Sequence, residues 1–204
     1  MDHQQVEQIV DELTHRYVAT FTSQEVREVV ETAVRDLEQT AAAGPYLPVF
    51  IRRFALEQVE HRATTRGADP YGAHDVLFVC PANAGPSQIA AGLANELGGG
   101  RVRAWSAGVR PAEQILPAVN QVMSERGVAL LKAFPKPVTP AAATSVERIV
   151  TINVDGTACA LPSTRVPVTR WEVDLGTGRD LDDVRRARDQ IEGLVGGLLD
   201  ELLV

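Results

Sequence analysis

The chain has 204 residues, a length that suits one α/β domain of about 130 residues with a smaller unit beside it. Apolar residues make up 45% and charged residues 23%, which is typical of a globular protein, and no apolar run approaches the ~18 residues of a membrane span. The net charge of −7 argues against nucleic-acid or anionic-membrane partners, because no basic excess is present to neutralise phosphates. The polar N-terminus does not resemble a signal peptide, so a cytoplasmic location is expected.

Three amphipathic helices are predicted in residues 1–64. Apolar residues recur at three- and four-residue spacing in residues 6–17 and again in residues 26–37. Thr22 opens a capping-box pattern before the second helix, and a third helix is expected over residues 47–62. The three apolar stripes predict a small three-helix bundle.

Residues 75–204 alternate strands with helices, after a Gly- and Pro-rich stretch at 65–74 that is interpreted as a linker. Strands are expected at 76–79, 102–106, 148–153 and within 166–173, and helices at 88–97, 117–126 and 180–202. This alternation predicts an α/β fold with an open, parallel, four-stranded sheet flanked by helices. Ligands bind at the carboxyl ends of the strands in such sheets, which is where the loop after Val79 lies.

That loop carries the candidate chemistry and reads Cys80-Pro81-Ala82-Asn83-Ala84-Gly85-Pro86-Ser87-Gln88. Its backbone N–H groups can converge on an anion at the start of the following helix, and the same field favours the thiolate form of Cys80, a nucleophile. Ser87 is placed to donate a hydrogen bond to that thiolate, and the Asn83 amide to brace the loop. On spacing alone, a buried cysteine beside a plain turn explains the pattern equally well.

The remaining cysteine and histidines predict no cofactor and no metal. Two cysteines do not make a disulfide framework, and two cysteines with four dispersed histidines do not have the spacing of a zinc site.

The loop resembles the signature of the low-molecular-weight protein tyrosine phosphatase family, in which a Cys is followed by five residues and then by Arg-Ser. Cys80, Asn83 and Ser87 match it, and Gln88 leans towards the family's thiol-dependent arsenate reductases. Ser106-Ala107-Gly108, residues 134–139 and residues 171–174 extend the resemblance over residues 75–203. The N-terminal helices resemble the three-helix bundle of some actinobacterial members. The resemblance implies an oxyanion held by Asn83, Ala84, Gly85, Pro86, Ser87 and Gln88.

The sequence departs from the family at the groups that carry turnover. The loop arginine is replaced by Pro86, which has neither a guanidinium nor an N–H. Leu175 stands where the family has the aspartate that protonates the leaving group, and the neighbouring Asp174 is a candidate replacement. Of the reductases' two further cysteines, the first position holds Val154, while Cys159 lies near the second.

Three functions follow from this pattern. The first is a divergent or repurposed cysteine-dependent enzyme that uses Cys80 on a small anionic or electrophilic ligand, with weak or absent phosphatase and arsenate reductase activity. The alternatives are a non-catalytic pseudophosphatase that binds or regulates, and an active arsenate reductase that uses Cys80 and Cys159. The N-terminal helices are expected either to form a homodimer interface or to cover the Cys80 pocket as a lid.

Overall fold

The computed structural model describes residues 1–40, 46–68, 72–154, 161, 165–176 and 180–204. Among these residues the helices are α1 (His3–Arg16), α2 (Ser23–Glu38), α3 (Leu47–Thr65), α4 (Pro86–Leu97), α5 (Pro117–Ser124), α6 (Pro140–Ser145) and α7 (Leu181–Leu202). The strands are β1 (His74–Cys80), β2 (Val102–Gly108), β3 (Arg148–Ile152) and β4 (Val168–Trp171).

The four strands form one parallel sheet with the order β2-β1-β3-β4, which confirms the predicted fold class. The register pairs Cys80 with Gly108 on one side, and Val79 with Thr151 on the other. The carboxyl ends of β1, β2 and β3 therefore meet at one edge, and the loop after Cys80 leaves from the middle of that edge.

Helices cover both faces of the sheet. The central strand β1 carries apolar side chains on both faces, and both must be buried. One face is buried beneath α4, α5 and α7, with Phe78, Ile89 and Ile191 in its core. The opposite face presents Leu77 and Ile149 to α6. Within the described residues, no helix is long and apolar enough to cross a membrane.

The first three helices pack around their own apolar core, as their periodicity predicted. Asp2 closes a capping box with Gln5 at the start of α1, and Thr22 closes the predicted one with Glu25 at the start of α2. Val10, Leu13, Val30, Leu37 and Phe54 are among the buried residues of this core.

Two features differ from the sequence prediction. Helix α6 was missed, because six residues without an amphipathic repeat give no periodic signal; Thr139 caps it by accepting a hydrogen bond from the N–H of Ala142. Helix α4 begins at Pro86 rather than at Gln88, since proline is well suited to the first helical position, where its missing N–H has no helical partner.

Candidate active site

Cys80 ends β1 and is buried, with only 1% of its surface exposed. Its Sγ lies 2.9 Å from the hydroxyl Oγ of Ser87 in the first turn of α4. The backbone N–H of Asn83 also donates to Sγ, at 3.2 Å. The thiol sulfur is therefore surrounded by two donor groups that can stabilise a thiolate.

Asn83 is fixed by hydrogen bonds at both ends of its side-chain amide. Its Oδ1 accepts the backbone N–H of Lys136 at 3.0 Å, so its Nδ2 is left to donate to Ser87 Oγ at 2.9 Å. Because Ser87 Oγ accepts from Asn83, its own O–H is free to donate to Cys80 Sγ. The Lys136 N–H thus sets the direction of the hydrogen bonds that reach the sulfur.

Several carbonyl groups of the loop point towards residues 109–116, the segment that follows β2. Four loop carbonyls accept backbone N–H groups from that segment: Cys80 from Val109 (3.2 Å), Pro81 from Arg110 (2.8 Å), Ala82 from Ala112 (2.9 Å) and Ala84 from Leu116 (3.0 Å). Because these four carbonyls are bonded to residues 109–116, their negative ends would not repel an anion bound by the loop N–H groups.

The N–H groups of Ala82, Ala84, Gly85 and Ser87 have no acceptor among the residues that the structure describes. They lie within seven residues of Cys80, at the N-terminus of α4, where the helix dipole favours negative charge. Pro86, between them, has no N–H and occupies the first position of α4 with a partly exposed side chain.

Gln88 ties the start of α4 to the rest of the site. Its Nε2 donates to the carbonyls of Asn83 and Phe134, each at 3.0 Å, and its Oε1 accepts the Ser106 hydroxyl at 3.1 Å. The sequence analysis named Gln88 but predicted no hydrogen-bonding role for Ser106, Phe134 or Lys136. These residues lie in the two motifs quoted for the family resemblance, but only their spatial contacts reveal what they hold.

Asp174 lies apart from this network. It follows β4, which β3 separates from β1, and its exposed carboxylate accepts the N–H of Gly176 at 2.9 Å. Within the described part of the chain it makes no hydrogen bond or ion pair with the Cys80 loop. Leu175 packs against the sheet core, and Val154 is buried. Cys159 lies outside the described residues.

One buried ion pair lies near the loop. Lys136 Nζ lies 3.2 Å from Glu57 Oε1 on α3, and both side chains are largely buried. Burial raises the pKa of Glu57, and the Lys136 ammonium opposes that rise. In the described residues, no cluster of three or more His, Cys, Asp or Glu side chains is arranged to hold a metal ion.

Cys80 thus lies at the carboxyl edge of a parallel sheet, next to a loop that leads into the N-terminus of a helix. The family model for low molecular weight phosphotyrosine protein phosphatase matches residues 75–202, and the chain belongs to this family. A second model, for a protein-tyrosine-phosphatase-like N-terminal domain, matches residues 6–63.

Several relatives and solved structures to which this chain is similar are arsenate reductases. The glutaredoxin arsenate reductase of Synechocystis is 27% identical over 130 residues, which cover 62% of this chain and 97% of the relative. The thioredoxin-dependent arsenate reductase of Corynebacterium glutamicum superimposes with a TM-score of 0.85 at 27% identity, covering 100% of this chain and 98% of that one. The arsenate reductase of Archaeoglobus fulgidus is 32% identical and covers 61% of this chain and 98% of its own, with a TM-score of 0.51.

Proposed function

We propose that this chain is a divergent cysteine-dependent member of its family, which binds a small oxyanion or electrophile at Cys80 and has weak or absent phosphatase and arsenate reductase turnover. One observation carries the proposal. Ser87 and Asn83 both make hydrogen bonds to the Cys80 sulfur, whereas Pro86 stands at the position where the family has the loop arginine.

The loss at position 86 weakens stabilisation of the transition state more than it weakens attack by the thiolate. A guanidinium holds two oxyanion oxygens at once, and proline supplies neither that group nor a backbone donor. Removing one oxyanion donor typically costs about 3 kcal/mol, or a hundredfold or more in rate. The four remaining N–H groups can still bind an anion, so the expected defect lies in turnover.

A second defect concerns the leaving group. Leu175 cannot donate a proton, and the Asp174 carboxylate is engaged by the Gly176 N–H on its own loop. Asp174 stays a candidate acid that would require its loop to move towards Cys80. Without an acid, ester substrates with poor leaving groups would react slowest.

The decisive experiment compares the wild-type chain with Cys80→Ser and Pro86→Arg. Hydrolysis of an aryl phosphate should be near background in the wild type, absent in Cys80→Ser, and raised about a hundredfold by Pro86→Arg, because the first position of α4 accepts arginine and the restored guanidinium can reach the anion. A wild-type rate equal to that of Pro86→Arg would overturn the proposal. Phosphate protection of Cys80 from alkylation, without turnover in any variant, would leave a binding protein, the pseudophosphatase alternative.

The full-length likeness to the thioredoxin-dependent reductase of Corynebacterium glutamicum favours a second candidate, an active arsenate reductase. In that reaction the Cys80 and Cys159 thiols would supply two electrons to As(V), giving As(III) and a disulfide that thioredoxin reduces. Arsenate-dependent consumption of reduced thioredoxin that vanishes in both Cys80→Ser and Cys159→Ser would establish it. Loss in Cys80→Ser alone would exclude the relay.

Two further predictions concern the setting of the chain. A cytoplasmic location fits the reduced thiol that this chemistry requires. A homodimer through the N-terminal helices would appear as a doubled mass in sedimentation, and a monomer would exclude it.

A further inference from the structure

Residues 134–136 belong to both halves of the chain, and we call them the bridging segment. The Phe134 ring is 1% exposed and lies in the core of the N-terminal helices, stacked on Phe50 of α3 with centroids 5.0 Å apart and planes 7° from parallel. The backbone of the same segment holds the Cys80 loop, through Phe134 O to Gln88 and through the Lys136 N–H to Asn83. Lys136 O also accepts the Gly108 N–H at 2.9 Å.

The side chain of Lys136 connects this segment to α3 by charge. Its ammonium pairs with Glu57 at 3.2 Å, and the two side chains are only 8% and 18% exposed. Removing one partner of such a pair is far more disruptive than removing a surface charge, because the other charge stays buried and uncompensated. The Glu57 carboxylate therefore holds the end of the Lys136 side chain against α3.

Neighbouring contacts of α3 reinforce this connection on the same side. Thr139 donates to Gln58 Oε1 at 2.7 Å, and the Ser145 hydroxyl lies 2.7 Å from His61 Nδ1. Gln58, His61, Thr139 and Ser145 are all buried. Helix α3 thus contacts four positions between residues 134 and 145 of the chain, namely Phe134, Lys136, Thr139 and Ser145.

We infer that the N-terminal helices hold the Cys80 loop in its anion-binding shape, and that Glu57 is the positioning residue. Glu57 fixes Lys136, the Lys136 N–H orients the Asn83 amide, and Asn83 orients Ser87 towards the sulfur. This role differs from a lid and from a dimer interface. It rests on the proposed function only in taking Cys80 as the reactive group.

Alkylation of Cys80 by iodoacetamide, followed on the Cys80 peptide by mass spectrometry, tests the inference in the full-length chain. Since Cys80 is 1% exposed, its reaction requires the loop to open. Glu57→Gln should loosen the loop and speed alkylation at least about fivefold at temperatures far below unfolding. It should also raise the phosphate concentration needed to protect Cys80.

Glu60→Gln is the matched control. Glu60 lies one turn further along α3, is also desolvated by burial, and contacts Tyr17 instead of the bridging segment. This variant should leave the alkylation rate unchanged. A wild-type rate in Glu57→Gln, or an equal acceleration in Glu60→Gln, would overturn the inference.

A double-mutant cycle tests whether Glu57 acts through Lys136. Lys136→Met should accelerate alkylation like Glu57→Gln, and the double variant should be no faster than the faster single variant, because the two residues act on one contact. Multiplicative acceleration in the double variant would contradict this. If phosphate fails to protect wild-type Cys80, the proposed anion binding fails, while the alkylation rates still decide the role of Glu57.

Discussion

Asn83 is the residue on which the geometry of the site depends most. Its φ of +49° lies in the left-handed region, which asparagine tolerates better than most residues. Asn153, after β3, has nearly the same backbone, with φ +51°, and also makes two side-chain hydrogen bonds, both to the backbone of Val173 at 2.8 Å. The two residues share a backbone conformation, but Asn83 bonds Ser87 and Lys136 at the Cys80 loop, whereas Asn153 bonds Val173.

This pair gives a matched test of the Asn83 amide. Glycine keeps the left-handed backbone without strain, so Asn83→Gly and Asn153→Gly should each lose about 1–3 kcal/mol of stability through their missing hydrogen bonds. Only Asn83→Gly should speed alkylation of Cys80, because it frees the loop from Lys136. Equal rates in the two variants would mean that the amide does not hold the loop closed.

At the scale of secondary-structure elements, the end of β2 limits how the loop can lie. A Cβ added at Gly108 would come within 2.8 Å of Asn83 Cβ and 2.9 Å of Asn83 N. Real Cβ atoms do not approach backbone this closely, so the loop would have to move away from β2. This contact explains why glycine ends the strand here.

We therefore expect Gly108→Ala to destabilise the chain by about 1–3 kcal/mol and to increase alkylation of Cys80. Gly193→Ala in α7 is the control, since its added Cβ would meet no described atom within 4 Å other than its own helix backbone, and it should stabilise by about 0.5–1 kcal/mol. Urea unfolding measures both changes. A stable Gly108→Ala variant with wild-type alkylation would show that the loop does not depend on this approach.

The contact between α3 and α6 predicts a dependence on pH. Burial, helped by the nearby Lys136 and Arg103 cations, lowers the pKa of His61 from 6.5 to about 3. As the pH falls below 6.5, the unfolded chain therefore binds this proton while the folded chain does not. Stability that is fully present above pH 6.5 is lost progressively towards pH 3.

His61→Asn should remove that part of the pH dependence, while its amide oxygen or nitrogen can still bond Ser145. Between pH 6.5 and 5 the wild type should lose about 1.6 kcal/mol more stability than the variant, because the slope reaches its full value of about 1.4 kcal/mol per pH unit only below pH 6.5. Urea unfolding at each pH provides the measurement. As an internal control, the free energies of unfolding of the wild type and of His61→Asn should differ by a constant amount between pH 7 and 8. A difference that stays constant down to pH 5 would show that His61 is protonated in the folded chain.

The elements that the sequence predicted are those with local signals. Periodicity and the Thr22 capping box located α2, and the apolar run at 76–79 located β1. The structure joins Cys80, Asn83, Ser87 and Gln88 in one hydrogen-bond network, and the sequence could single them out because they are close together in the chain. Lys136 and Glu57 were not predicted as partners, because their contact joins residues 79 positions apart and leaves no local pattern.

At the scale of the whole molecule, the core of the N-terminal helices includes a residue from the sheet-containing part of the chain. Phe134 follows β2 and α5 in the chain but is buried among α1, α2 and α3. The division into a bundle at 1–64, a linker at 65–74 and a domain at 75–204 stays a prediction, and the position of Phe134 predicts that the two parts do not unfold independently. Helix α3 extends to Thr65 and β1 begins at His74, so regular structure enters both ends of the predicted linker.

A substitution in the bundle tests this coupling, because both tryptophans, Trp105 and Trp171, lie outside the bundle. Leu37 is fully buried in α2, and Leu37→Ala should cost about 2–5 kcal/mol. If the bundle supports the sheet through Phe134 and Glu57, tryptophan fluorescence and far-UV circular dichroism should report one unfolding transition, with the same shift of its midpoint in both signals.

Ile191→Ala in α7 should shift the midpoints of both signals in the same way. A tryptophan transition that stays at its wild-type midpoint in Leu37→Ala would mean that the sheet folds without the bundle, and Glu57 could then hold the loop only locally.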